Sequence, residues 1–402
     1  MKKSVVLYLH VHQPYRISPY SIFKAGYEHD YFSDERAKDS ARNQTILKKV
    51  ALKSYGPTNA MLLELLETYP DFRVSMSITG TFIEQCEAWA PELLDGFKKL
   101  VATGRVDIVA ETYHHSLAFF YSRKEFEAQV DMHTQKIKQL FDVTPQAFRN
   151  TELAYYNEIG AWADDAGYKA VLAEGWDPVL GWRSPNYVYR PPQTSNIRLL
   201  LKNYRLSDDI AFRFSNRGWA EWPLTVDKYL GWLPVDDEQV INLFMDYETF
   251  GEHQWDDTGI FNFMREFVKR IDASPWYDFK TVSEAAELAP RDVVSMPYTV
   301  TWADTERDLS AWLGNAMQQE ALRCLYERED VVLDSGDKQL IDDWRKLQTS
   351  DHVYYMCTKW FRDGDVHAYF SPYDSPYDAF LYFMNAIRDM RWRILQLHHR
   401  EP

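Results

Sequence analysis

Seven short, almost wholly apolar runs alternate with helically spaced stretches over roughly the first 280 residues of this 402-residue chain. The runs are Ser4–His10, Phe72–Thr79, Arg105–Ala110, Gln146–Asn150, Tyr168–Ala173, Ile197–Lys202 and Gln239–Met245. Between them, Gln44–Tyr69, Ile83–Thr103, Glu125–Phe141 and Glu158–Ala166 have helical character, with Gly104 and Gly167 placed as stops. Strands that are apolar on both faces need cover on both sides, and parallel strands need a crossover between them. The alternation therefore predicts an α/β fold built on a parallel sheet.

After Pro290 the pattern changes to long helical stretches at Thr305–Arg328, Lys338–Thr349 and Pro376–Leu397. This places a domain boundary between 1–289 and a helical C-terminal part, 290–402.

In parallel α/β folds the reactive groups gather where strands end. His10-Val11-His12-Gln13-Pro14 follows the first strand, and Glu111-Thr112-Tyr113-His114-His115 follows RVDIVA. Thr151-Glu152 follows QAFRN, and Asp246-Tyr247-Glu248 follows QVINLFM. Any one cluster is what a polar loop provides, but four at the same end of four strands point to a site.

Composition narrows the chemistry. A net charge of −15 without Lys/Arg runs argues against a polyanionic partner such as nucleic acid. Three widely spaced cysteines suggest neither a disulfide framework nor a Cys-type zinc site, which fits a reducing, cytoplasmic setting. No run approaches 18 apolar residues, so no spanning helix is expected, and His10 and His12 interrupt the N-terminal run before it could serve as a signal sequence. Fourteen Trp and 26 Tyr are mostly core, yet they also suit sugar recognition by stacking.

Glu152 and Asp246, delivered by separate strands, are the pair of carboxyl groups that glycosidic cleavage requires: one ionised and attacking, one protonated and donating. Local sequence leaves open which is which. Asp246 has the more apolar neighbours, Phe244, Met245 and Phe250, and burial there would raise its pKa toward that of a donor. Repulsion between Asp246 and Glu248, two residues on, would help keep one of them protonated. The plain alternative for Glu152 is an ion pair with Arg149. A second reading starts from His10-Val11-His12, whose imidazoles face one side of a strand as metal ligands do; with His114, His115 and His253 it describes a metal-dependent amidohydrolase. A third is a glucan-binding protein without catalysis.

Several segments together resemble glycoside hydrolase family 57, the α-amylase and α-glucanotransferase group. They are LHVHQPYR, GRVDIVAETYHHSL, FRNTELAYYNEIGAWADDAGYKAVLAEG, FMDYETFGEHQW and TVSEAAE, with WADTERDLSAWLGNAMQ and LQTSDHVYYMCTKW resembling the helical part. The resemblance implies an incomplete (β/α)7 barrel followed by a helical bundle, a retaining mechanism on α-1,4-glucans or maltooligosaccharides, and no metal or other cofactor. It assigns the nucleophile to Glu152 and the general acid to Asp246. It places His12 at the glycone subsite with Gln13 and His114 among the substrate-binding residues, and Glu111 and Glu248 as supporting acids. Asp351 matches an acid that the helical part leans into the pocket. Trp219, Trp222 and Trp255 are candidate stacking platforms, or packing residues between the two parts. Ala110-Glu111-Thr112 stands where many members are Gly-rich, and no β-rich extension follows, which favours the compact α-amylase-like type. Transfer to a sugar hydroxyl, by a 4-α-glucanotransferase or a branching enzyme, is the alternative outcome of the same chemistry.

Overall fold

The computed structural model describes residues 2–359 and 371–398; residues 360–370 and 399–402 of the expected C-terminal domain lie outside the described residues. Among the described residues ten strands form two sheets: β1 Lys3–Val11, β2 Val74–Ile78, β3 Val106–Ile108, β4 Ala147–Arg149, β5 Ala170–Glu174, β6 Tyr189–Arg190, β7 Arg198–Lys202, β8 Val240–Asp246, β9 Tyr277–Phe279 and β10 Asp292–Val293. Each of the seven apolar runs overlaps one. The three unanticipated strands, β6, β9 and β10, are two or three residues long, too short to show an alternation.

The first sheet has the order β3-β2-β1-β8, with β9 also paired to β1; the second has the order β10-β6-β7-β5-β4. Every pairing is parallel except that of β6 with β7. A parallel bridge from Ala110 to Phe148 links the sheets on one side. On the other, Asn203 N donates to Asn242 O at 2.9 Å and Asn242 Nδ2 donates to Leu201 O at 2.8 Å.

Strand periodicity sorts the side chains. Val5, Leu7, Leu9 and Val11 of β1 pack outward with Ile241, Leu243 and Met245 of β8 against helices. Their alternates, Val6 and Tyr8 of β1 and Phe244 of β8, join Val109, Ala147, Leu172 and Leu200 in a cluster shared by both sheets. The next inward position on each strand is polar or ionisable: His10, Glu111, Arg149, Glu174, Lys202 and Asp246. A layer of charge thus stands on an apolar floor.

Three expected helices are broken. Gln44–Tyr69 is Asn43–Val50 and Gly56–Thr68 joined by a π-turn at Ala51–Tyr55. Ile83–Thr103 divides into Gly80–Trp89 and Pro91–Ala102, because Pro91 removes a main-chain donor and fits only the first turn of a new helix. Thr305–Arg328 begins only at Ser310 and breaks between Leu313 and Ala316, where Asn315 caps the second piece in a capping box with Gln318. The remaining helices include Lys338–Lys346, Ser350–Tyr354 and Pro376–His398. Their apolar faces share one cluster with the outward residues Phe148, Val171, Ala173, Leu199 and Leu201 of β4, β5 and β7. Among the described residues no helix is long and apolar enough to cross a membrane.

Candidate active site

Above the charged layer opens a cleft of about 820 Å³, lined by residues from β1, β8, the turns after β3 and β4, and the later helical segments. His115, Glu152 and Leu153 adopt left-handed backbone conformations, with φ of 53°, 59° and 49°. Non-glycine residues there carry on the order of 1–3 kcal/mol of strain each, and such strain persists only where surrounding bonds hold it. Here Leu153 N donates to Asn150 O at 3.0 Å, and Asn150 Nδ2 donates to Ala154 O at 3.0 Å, fixing the turn that presents Glu152.

Glu152 and Asp246 are joined by a continuous series of ionisable groups. His115 Nε2 lies 3.1 Å from Glu152 Oε1, and its Nδ1 lies 3.2 Å from Glu111 Oε2. The same Glu111 oxygen is 3.2 Å from His10 Nε2, and His10 Nδ1 is 3.6 Å from Asp246 Oδ1. Arg149, fully buried, donates through Nη1 to Glu111 Oε2 at 3.3 Å. Burial alone would push the Glu111 carboxyl up, but His10, His115 and Arg149 together hold it well below the ordinary glutamate range. Burial likewise opposes the charged form of His115, yet bonds to Glu111 and Glu152 outweigh it and raise its pKa to about 9. Glu152 also accepts from Trp302 Nε1 at 2.9 Å and Ser350 Oγ at 3.1 Å. Burial pushes it up, and the bond and charge of His115 with the Trp302 bond bring it below the usual value.

Asp246 and Glu248 divide differently from the expectation that burial would raise Asp246. Burial does push that carboxyl up, but the contact with His10, and the charges of His10, His253 and Arg149, leave it below the ordinary aspartate value. Its side chain keeps about 35% exposure to the cleft. The proton is held by its neighbour: burial, and then the Asp246 charge, push Glu248 up to about 8. Tyr55 donates to Glu248 Oε1, and Gln13 Nε2 donates to Tyr55 Oη at 3.0 Å.

His12 faces the cleft from the end of β1, its Nδ1 2.9 Å from Thr79 Oγ1 and its Nε2 3.0 Å from Asp351 Oδ2. Burial and the His115 charge lower its pKa to about 4. Asp351 arrives because Ser350 N donates to His115 O at 2.9 Å and Ser116 bridges Thr349, docking the start of helix Ser350–Tyr354 onto the turn after β3. Of the expected substrate-binding residues, His12, Gln13, Glu248 and Asp351 line the cleft, and Glu111 lies directly beneath it.

Four of the candidate residues lie outside the cleft lining. His114 is not in the cleft: it is buried beside Tyr113 with neither ring nitrogen hydrogen-bonded among the described residues, and the left-handed turn brings His115 in instead. Trp219 packs against Trp232 in the outer core. Trp255 is 57% exposed under the Lys53 ammonium, and Trp222 lies beneath Arg217, both away from the cleft lining. The indoles that do line it are Trp302 and Trp312. Trp302 and Ser350 lie within the recognisable segments WADTERDL and LQTSDHV, but nothing in their local pattern marks them; Thr349-Ser350-Asp351 reads as an ordinary helix start.

Among the described residues, two groups bring ligand atoms within 4.8 Å of one another, His10-Glu111-His115 and His12-His115-Asp351. In the first, the Arg149 guanidinium already sits 3.3 Å from Glu111 Oε2 and 3.2 Å from His10 Nε2, a position that repels a cation. In both, His115 has its two nitrogens on Glu111 and Glu152.

Comparison with known proteins places this geometry. Residues 6–297 match the model of glycosyl hydrolase family 57. The chain is 43% identical over 399 residues to a protein of Methanocaldococcus jannaschii whose name, alpha-amylase, is provisional, covering 96% of this chain and 84% of that one. It is 22% identical over 270 residues to an alpha-amylase of Pyrococcus horikoshii, covering 66% of this chain and 41% of the other. In structure it is similar to a branching enzyme of Pyrococcus horikoshii, with a TM-score of 0.69, 14% identity, and coverage of 92% of this chain and 88% of that one. With a family model matched over most of its length and a close relative along nearly all of it, the chain belongs to glycosyl hydrolase family 57.

Proposed function

We propose that the protein is a retaining glycosidase that cleaves α-1,4-glucans, with Glu152 as nucleophile and Asp246 as general acid and base. The observation that carries the reading is that two carboxyl groups from separate strands open into one cleft with opposite surroundings. Glu152 is gripped by His115, Trp302 and Ser350, whereas Asp246 is partly open and adjoins a protonated Glu248. An ionised Glu152 attacks the anomeric carbon, and the glycosidic oxygen takes a proton from Asp246 as its bond to that carbon breaks. The Asp246 carboxylate then removes a proton from water, which opens the glycosyl ester and frees Glu152. Asp246 must gain its proton when substrate seals the cleft. Covering its exposed third strips the hydration that favours the anion, and the Glu248 proton is next to it.

The relatives named alpha-amylase support a glucan as substrate. The parallel pairings, and the links from β3 to β4 and from β7 to β8, support an incomplete (β/α)7 barrel over 1–289 with a helical domain over 290–402.

Incubation with maltoheptaose tests this. Shorter maltooligosaccharides, released with retained anomeric configuration and insensitive to EDTA, are expected. Longer or branched products would instead assign a transferase, and binding without turnover would refute the enzyme.

A further inference from the structure

We propose that Arg307, anchored by Glu174 and Asp208, is a positioning residue that aims Glu152 by way of Trp302. The inference rests on the reading of Glu152 as nucleophile given above.

In the wall of the cleft, which Lys202, Asp208 and Arg307 line, Glu174 of β5 and Lys202 of β7 meet Asp208 and Arg307 in a compact group of two acids and two bases. Glu174 is fully buried. Lys202 Nζ stands 3.0 Å from Asp208 Oδ1 and 3.6 Å from Glu174 Oε2, so one ammonium is shared between two carboxylates. Arg307 completes the balance. Its Nη1 reaches Glu174 Oε2 at 3.2 Å and its Nη2 reaches Asp208 Oδ2 at 3.3 Å, while Nη1 also donates to the main-chain oxygen of Trp302. Only a planar fork with several fixed donors makes these contacts together; an ammonium cannot.

The segment between them is short and tied at every corner. Thr301 N donates to Arg307 O at 2.9 Å, and Arg307 is itself left-handed at φ 52°. Upstream, Val300 and Tyr155 exchange both main-chain bonds at 2.9 Å, and Trp302 N donates to Glu152 O at 3.3 Å. The indole then donates to Glu152 Oε2 at 2.9 Å, while its ring lies over Lys202 Nζ at 5.6 Å. The Trp302 donor is therefore held between the Glu152 turn and the charged group beneath, and Arg307 is the side chain that fastens it on the charged side. If that fastening is lost, the indole N–H drifts and Glu152 loses a donor that stabilises its ionised form.

The test follows the Trp302 indole directly by 15N-edited NMR, with its Nε1–H signal assigned by its absence in Trp302→Phe. In the wild type this signal should respond to the ionisation of Glu152, and in Glu152→Gln the response should vanish. Arg307→Met combined with Glu174→Gln removes one charge of each sign and keeps the group neutral; Arg307→Lys keeps the charge and loses the fork. Both should move the Trp302 response to higher pH and lower kcat on maltoheptaose by on the order of 10- to 100-fold, with KM changing less than about twofold. Arg307→Lys should retain more of both properties. A folded Arg307→Lys protein whose Trp302 signal responds at the wild-type pH overturns the proposal, whether or not the double variant folds. A wild type inert on glucans would refute the glycosidase reading alone, since the NMR readout needs no turnover.

Discussion

His115 holds Glu152 by its Nε2 at 3.1 Å while its Nδ1 rests 3.2 Å from the buried Glu111. One imidazolium therefore serves two carboxylates, and its charge is what lets both stay ionised in a poorly solvated place.

His115→Gln should raise the pKa of Glu152 toward that of an ordinary glutamate, moving the acid limb of kcat/KM to higher pH and lowering kcat at neutral pH by about 100-fold. Stability carries the same signature. The folded pKa of His115, about 9, exceeds the ordinary 6.5, so its contribution is fully present below pH 6.5 and is lost as pH rises through about 9. Urea midpoints of wild type and variant should converge over that interval; a constant difference would show that the imidazole is not charged.

Glu248 is raised from 4.5 to about 8, so its contribution to stability is complete below pH 4.5 and fades as pH climbs through about 8. Glu248→Gln mimics the protonated form. It should match the wild type in acid, exceed it in stability above pH 8, and remove a basic limb near pH 8 from the rate profile. A wild-type profile flat through pH 9 would contradict this assignment.

Arg149→Met should destabilise the fold by about 3–5 kcal/mol in urea unfolding, because it strands Glu111 without its guanidinium in the buried layer. Adding Glu111→Gln should recover part of that loss, the non-additivity expected of directly bonded groups.

Gly251→Ala tests the wall behind Glu248. Gly251 has φ near 100°, and a Cβ there would collide with the main-chain oxygen of Lys53 in the π-turn that carries Tyr55. A melting temperature lowered by several degrees is expected, with a raised KM as Tyr55 and Glu248 shift together.

The sequence by itself determined seven of the ten strands described and the inward-facing residues at their ends. A period of two on β1 and β8 sends Tyr8, His10 and His12, and likewise Phe244 and Asp246, to one side, and that alternation needs no tertiary information. The segments around Glu152 and Asp246 were recognisable for a related reason: Asp246 closes β8, and Glu152 stands three residues beyond β4. The tertiary structure decided what the loops do. His114 and His115 are adjacent and alike in composition, and only the left-handed turn selects the second. Trp302 and Ser350 reach the cleft from more than 50 residues beyond Asp246, through contacts that no local pattern encodes. The protonation of Glu248 rather than Asp246 was also decided there, because a pKa is set by every charge within a few ångströms, and His10, His253 and Arg149 are neighbours of Asp246 only once the chain has folded.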